Sequence, residues 1–164
     1  MSPSHIDEFY FVTGEVLSTL YAGFPNRQLI LVEDIRGPIQ WDIAGLPDRK
    51  SKACFETLIW LVDCGLLTYR SLEPRDIGIE GAVLTQQGFV LLTSPVTWDD
   101  GKTMSRIEAL RVARRQRAYD DIAVILQELF SANCRWSAPA AKSILKRAAS
   151  LEIQIADDGP ENTH

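Results

Sequence analysis

The chain is nearly without histidine: His5 and His164 are the only two, close to either end of its 164 residues. No internal imidazole is on hand as a general base near neutral pH. Cysteine is scarce too. Cys54, Cys64 and Cys134 make an odd number, and no pair of them has zinc-ligand spacing. This pattern points to reduced thiols in a cytoplasmic protein and away from a disulfide or metal framework. Wholly apolar runs reach only a few residues, too short to span a bilayer. The stretch Met1–Glu8 has no basic region and no apolar core, so no signal peptide is expected. There is no internal repeat and no low-complexity tract.

Catalytic constellations are missing as well. Asp120-Asp121 are neighbours, and on a helix neighbours diverge by about 100°, so they share no site. Gly101-Lys102-Thr103 mimics the end of a phosphate-binding loop, but position 96 is Val where that motif needs Gly. The expectation is a non-enzymatic protein with no cofactor and no metal.

Positive charge is short in the first part of the chain. Residues 1–101 hold seven Lys/Arg against fourteen Asp/Glu, a balance of −7. Residues 102–130 hold six against four, and residues 131–164 four against four, so the net −5 conceals one basic segment. An acidic domain is an awkward partner for phosphates.

What is present is a soluble-protein composition, 46% hydrophobic and 24% charged, long enough for one core and an appendage. After a loose end at residues 1–6, Phe9, Val12, Val16, Leu17, Leu20, Tyr21 and Phe24 recur at helical spacing, which predicts an amphipathic helix over Glu8–Gly23. Leu29–Val32 is a short apolar run that periodicity assigns to neither strand nor helix. Gly37-Pro38 stops it, and Pro38–Pro47 reads as an ordered loop pinned by Trp41. Asp48 is a candidate N-cap for a helix running to Cys64, with Cys54, Phe55, Leu58, Ile59, Leu61 and Val62 on its apolar face. Lys52, Ala53, Glu56, Thr57, Trp60 and Asp63 fall on the other side, and Gly65 stops the helix. Leu67–Ser71 alternates as a half-buried strand, Leu72–Glu80 reads as a hairpin tip, and Ala82–Thr85 returns. Thr85 is placed to cap a short helix over Gln86–Leu92.

The order of these elements resembles the winged-helix superfamily over residues 8–93. The residues that carry the resemblance are the Asp48–Cys64 helix, the Gly65-Leu66-Leu67 exit and the Ala82-Val83-Leu84-Thr85-Gln86-Gln87-Gly88-Phe89 return. It implies a short second helix through Ile35. It also implies that the Asp48–Cys64 helix corresponds to one that often enters the DNA major groove, with the hairpin on flanking phosphates.

Beyond Pro95, Val96–Gly101 reads as a linker, and a long helix is expected from Thr103 to about Phe130, roughly 40 Å. Its apolar stripe holds Val112, Tyr119, Ile122, Ala123, Leu126 and Phe130. Ser137 begins a final helix with Ile144, Leu145, Ala148 and Leu151 inward, and residues 154–164 read as a disordered tail. The expected fold class is mainly α with a small β-hairpin: a winged-helix domain at 8–95 and a helical extension at 103–153.

Two functions compete. In the first, a dimeric DNA-binding transcriptional regulator contacts double-stranded DNA through Arg49, Lys50, Lys52 and Thr57, aided by Arg106, Arg111, Arg114 and Arg115. In the second, the domain binds another protein. Charges cancel along Asp48–Cys64, and the hairpin tip carries Glu73, Asp76 and Glu80 against Arg75 alone. Phosphate affinity needs the opposite sign. Trp60 is too large to stand in water without a contact, within the chain or across an interface. The arginines of 106–117 have an intramolecular reading too, as partners for the acids of 1–101. Trp60, Tyr119, Ile122 and Leu126 are the candidate protein contacts, and the long stripe predicts a homodimer or a partner-binding arm.

Overall fold

A computed structural model of the chain describes residues 4–135. The expected final helix and the expected tail lie outside the described residues.

Helix α1 (His5–Gly23) opens on a capping box, in which Ser4 and Asp7 each accept from the other's backbone amide. It begins a turn earlier than its apolar spacing predicts, because that box reaches back to Ser4. The ambiguous run then divides: Gln28–Leu31 is strand β1 and Val32–Arg36 is the short helix α2. Helix α3 (Arg49–Asp63) is capped by Asp48. Strands β2 (Leu67–Thr68) and β3 (Ser71–Leu72) precede β4 (Gly78–Leu84), and Thr85 caps α4 (Gln86–Thr93).

The antiparallel sheet is built around β4, which pairs with β1 on one side and with β2 and β3 on the other. Ile79 sits opposite Ile30, and Leu84 opposite Leu67. These four are buried, so the register places one apolar face of the sheet on the helices. Val16, Leu17 and Leu20 of α1 and Leu58 and Leu61 of α3 are buried with them. The result is a mainly helical domain with small antiparallel hairpins, consistent with a winged-helix-like fold. The order α1-β1-α2-α3-β2-β4-α4 is the one the resemblance implies, with β1 added where periodicity left the choice open.

The region after Pro95 departs from expectation. Pro95–Thr97 and Thr103–Ser105 form a second hairpin, β5–β6, closed by Trp98 N–H donating to the Lys102 carbonyl at 2.9 Å. The expected single long helix is two, α5 (Arg106–Arg115) and α6 (Tyr119–Arg135). The break is a helix stop with Arg117 at φ 53, where its N–H reaches the Arg114 carbonyl and the Ala118 N–H reaches Ala113. The first compact unit runs through Leu129, so α5 and most of α6 belong with α1 to α4. The described part of the second unit is the end of α6, from Phe130.

Candidate functional site

Helix α3 is set by its start. Asp48 Oδ1 accepts the Ser51 hydroxyl at 2.7 Å and the Gln40 amide at 3.0 Å, and Oδ2 accepts the Ser51 amide at 3.2 Å. The Ser51 hydroxyl first, then the Gln40 amide, hold the Asp48 carboxyl below its usual pKa, since both bond to the charged form. The same carboxylate thus fixes the helix and the loop before it.

The outward side of α3 meets the start of α1. Trp60 lies edge-on to Phe9, with ring centroids 5.2 Å apart and planes at 83°, yet remains 43% exposed. A cavity of about 250 Å³ lies between the two helix starts, lined by His5, Glu8, Phe9, Val12, Arg49, Lys50, Ala53, Cys54 and Thr57. An open groove of about 510 Å³ adjoins it, sharing Phe9, Ala53 and Thr57 and adding Ile6, Glu56, Ile59, Trp60 and Asp63. Most of this lining is apolar. Cys54 is a free, buried thiol in the cavity wall, and burial pushes its pKa up to about 12.

Of the four candidates for DNA contact on this helix, Arg49, Lys50 and Lys52 are exposed at its first turn. Lys50 Nζ lies 4.0 Å from Glu8, whose carboxylate is already held by Arg36 at 2.6 Å. Thr57 is buried and donates its hydroxyl to the Ala53 carbonyl at 2.8 Å. It faces the cavity and the groove with little of its surface exposed.

The hairpin's cation is engaged as well. The Arg75 guanidinium sits 3.9 Å over the Trp41 ring, so the hairpin tip lies on the loop between α2 and α3. Arg75 and Asp76 both have positive φ, at 61° and 56°, the backbone of a tight hairpin turn.

The basic segment folds inward. Arg106 is buried, bonded to both carboxylate oxygens of Glu128 and, at 2.9 Å, to the Leu91 carbonyl. Arg111 lies 4.9 Å over the Tyr21 ring, and Arg114 pairs with Glu15 at 2.5 Å. Only Arg115 of the four candidates in α5 is exposed. The intramolecular reading holds for Arg114, which meets an acid of the first 101 residues, whereas Arg106 finds its acid further along the chain.

Among the candidate protein contacts, Ile122 and Leu126 are buried and Tyr119 is exposed. Ile122 closes on α1 at Gly14, where an added Cβ would meet it at 3.6 Å. Sequence reasoning missed two things here. Ile6, assigned to a loose end, lines the groove; its i, i+3 spacing to Phe9 was the available signal. Ile43, in the loop, is entirely exposed, and nothing in its spacing marks it.

Among the described residues no group of His, Cys, Asp and Glu could hold a metal ion, and no helix is long and apolar enough to cross a membrane. No protein-family model, no curated protein and no solved structure matches this chain.

Proposed function

We propose that this protein is a non-enzymatic winged-helix-type interaction module, whose contact surface is the α1–α3 face and whose partner is a protein. The observation that carries the reading is the half-covered Trp60 over an apolar groove, on the side of α3 that a DNA-reading helix would keep polar. Aromatic anchors beside apolar pockets are the residues that dominate protein interfaces. The electrostatics agree: three of the four α5 arginines and Arg75 are committed inside the chain, and salt-dependent phosphate affinity needs uncommitted cations.

A second reading, a DNA-binding regulator, draws on one observation. Arg49, Lys50 and Lys52 are exposed together at the first turn of α3, the end from which such helices read bases. Salt separates the two. Under the proposed function, fluorescence anisotropy with a mixed-sequence duplex shows no binding at low ionic strength. Duplex binding that weakens steeply with salt, and less steeply after Lys50→Ala and Lys52→Ala, would overturn the proposal in favour of the regulator.

A further inference from the structure

The loop between α2 and α3 is tightly fixed and exposes an apolar tip. Asp42 and Leu46 exchange backbone hydrogen bonds with side-chain help: Asp42 N–H donates to the Leu46 carbonyl, and Leu46 N–H to Asp42 Oδ1, both at 2.9 Å. Trp41 and Pro47 form an isolated antiparallel bridge below that turn, and Arg75 clamps the Trp41 ring from the hairpin. On this platform Ile43 is 108% exposed and Leu46 60%. A loop already ordered loses little entropy when its tip is covered. Its tip carries the exposed carboxylate of Asp42, while the one cation shown against the loop, Arg75, is taken up by the Trp41 ring.

The same end of α3 offers the complement. The cavity between the starts of α1 and α3 has an apolar floor of Phe9, Val12, Ala53 and Cys54 and an exposed basic rim of Arg49 and Lys50; the one acid in its lining, Glu8, is held by Arg36 at 2.6 Å. An apolar cavity of about 150 Å³ takes a benzene ring, so one of about 250 Å³ has room for the Ile43 side chain. The loop runs directly into the Asp48 cap, one residue before that rim. Each chain therefore carries an apolar knob with a carboxylate at its tip and an apolar pocket with a basic rim, joined through the Asp48 cap, the arrangement a twofold axis can pair with itself.

We propose that this face joins two copies of the chain, with Ile43 of one protomer seated in the α1–α3 pocket of the other and Asp42 against the Arg49–Lys50 rim. The proposal rests on the reading of the α1–α3 face as a protein contact and names its occupant as a second copy.

Sedimentation velocity of the full chain over a wide concentration range tests it. The expected result is a dimer that weakens as salt rises. Ile43→Asp, at a position with no internal packing to lose, should weaken association by roughly thirtyfold or more while the circular dichroism stays unchanged. Ala53→Phe, on an exposed helical position, should fill the pocket with similar effect. A mixture of the two variants keeps one intact knob and one intact pocket, and should recover part of the association. A wild-type chain that stays monomeric throughout, a dimer indifferent to Ile43→Asp, or a mixture with no recovery overturns the reciprocal arrangement. A dimer that survives Ile43→Asp but is lost in Trp60→Ala overturns the knob and keeps the face. Duplex binding at low salt defeats the face itself.

Discussion

Arg106 Nε and Nη2 meet Glu128 Oε2 and Oε1 at 2.5 and 3.0 Å, a two-pronged pair that ties the first residue of α5 to α6. Arg106 Nη1 adds the Leu91 carbonyl at the end of α4, so one guanidinium gathers three helices.

Breaking that pair by Glu128→Ala leaves a cation in a buried setting. A fully buried case costs about 3–5 kcal/mol; with the Glu128 side chain 27% exposed, roughly 2–3 kcal/mol is expected. Urea denaturation measures it. The double variant Arg106→Met/Glu128→Leu should recover most of the loss, because the apolar replacements need no counter-ion. Equal destabilisation in single and double variants would show that the charges were not the cause.

Asp48→Ala should cost about 1 kcal/mol as a lost helix cap, with a further loss from the unpaired Gln40 amide. The pH dependence follows from the lowered pKa. The unfolded chain titrates near 3.8 and the folded chain below it, so the stabilisation is complete above 3.8 and is lost as pH falls through the folded value. Acid titrations of the wild type and the variant should converge at low pH; parallel curves would sink the assignment.

Cys54 predicts the opposite limb. Its thiol has an ordinary value of 9.0 and is pushed up to about 12 in the fold by burial, so the folded state holds the proton longer. Stability from this group is intact below 9.0 and declines as pH rises toward 12. Cys54→Ala should flatten the alkaline limb of the stability profile, at the cost of a small cavity, and an unchanged alkaline slope would be evidence against it.

Gly88→Ala tests how closely α4 approaches α3's exit. A Cβ at Gly88 would overlap the Leu66 carbonyl oxygen. Alanine gains about 1 kcal/mol in helix propensity, but overpacking against backbone costs about 1–3 kcal/mol, so net destabilisation is expected in a thermal melt. A raised melting temperature would mean that the backbone yields more readily than this geometry allows.

How much of this was legible in the sequence depends on where each signal resides. Helix α3 was readable at both ends because Asp48 and Gly65 are residues whose chemistry matches the cap. At Gly65 (φ 77) the N–H reaches the Val62 carbonyl, and the following Leu66 N–H reaches Leu61. The break after α5 uses the same pair of hydrogen bonds, at Arg117 and Ala118, with no glycine to announce it. An apolar stripe continuing across it made two helices look like one. The apolar run at Leu29–Val32 was undecided for a good reason, since its first three residues are strand and Val32 opens a helix. Candidate site residues were harder. Spacing placed Thr57 and Trp60 on one side of α3, but how much of that side α1 covers is a tertiary fact. Nor does a count of arginines reveal which ones find acids: Arg114 meets Glu15, 99 residues away in sequence.

The stop at Arg117 also changes how α5 and the start of α6 are held. An unbroken rod would act as a lever, carrying rotation at its far end back to the domain. With the rod interrupted, α5 and the start of α6 are each braced on α1, one through Glu15 and Arg114 and the other through Gly14 and Ile122. Leverage is exchanged for bracing, and α1 becomes the strut against which both are held.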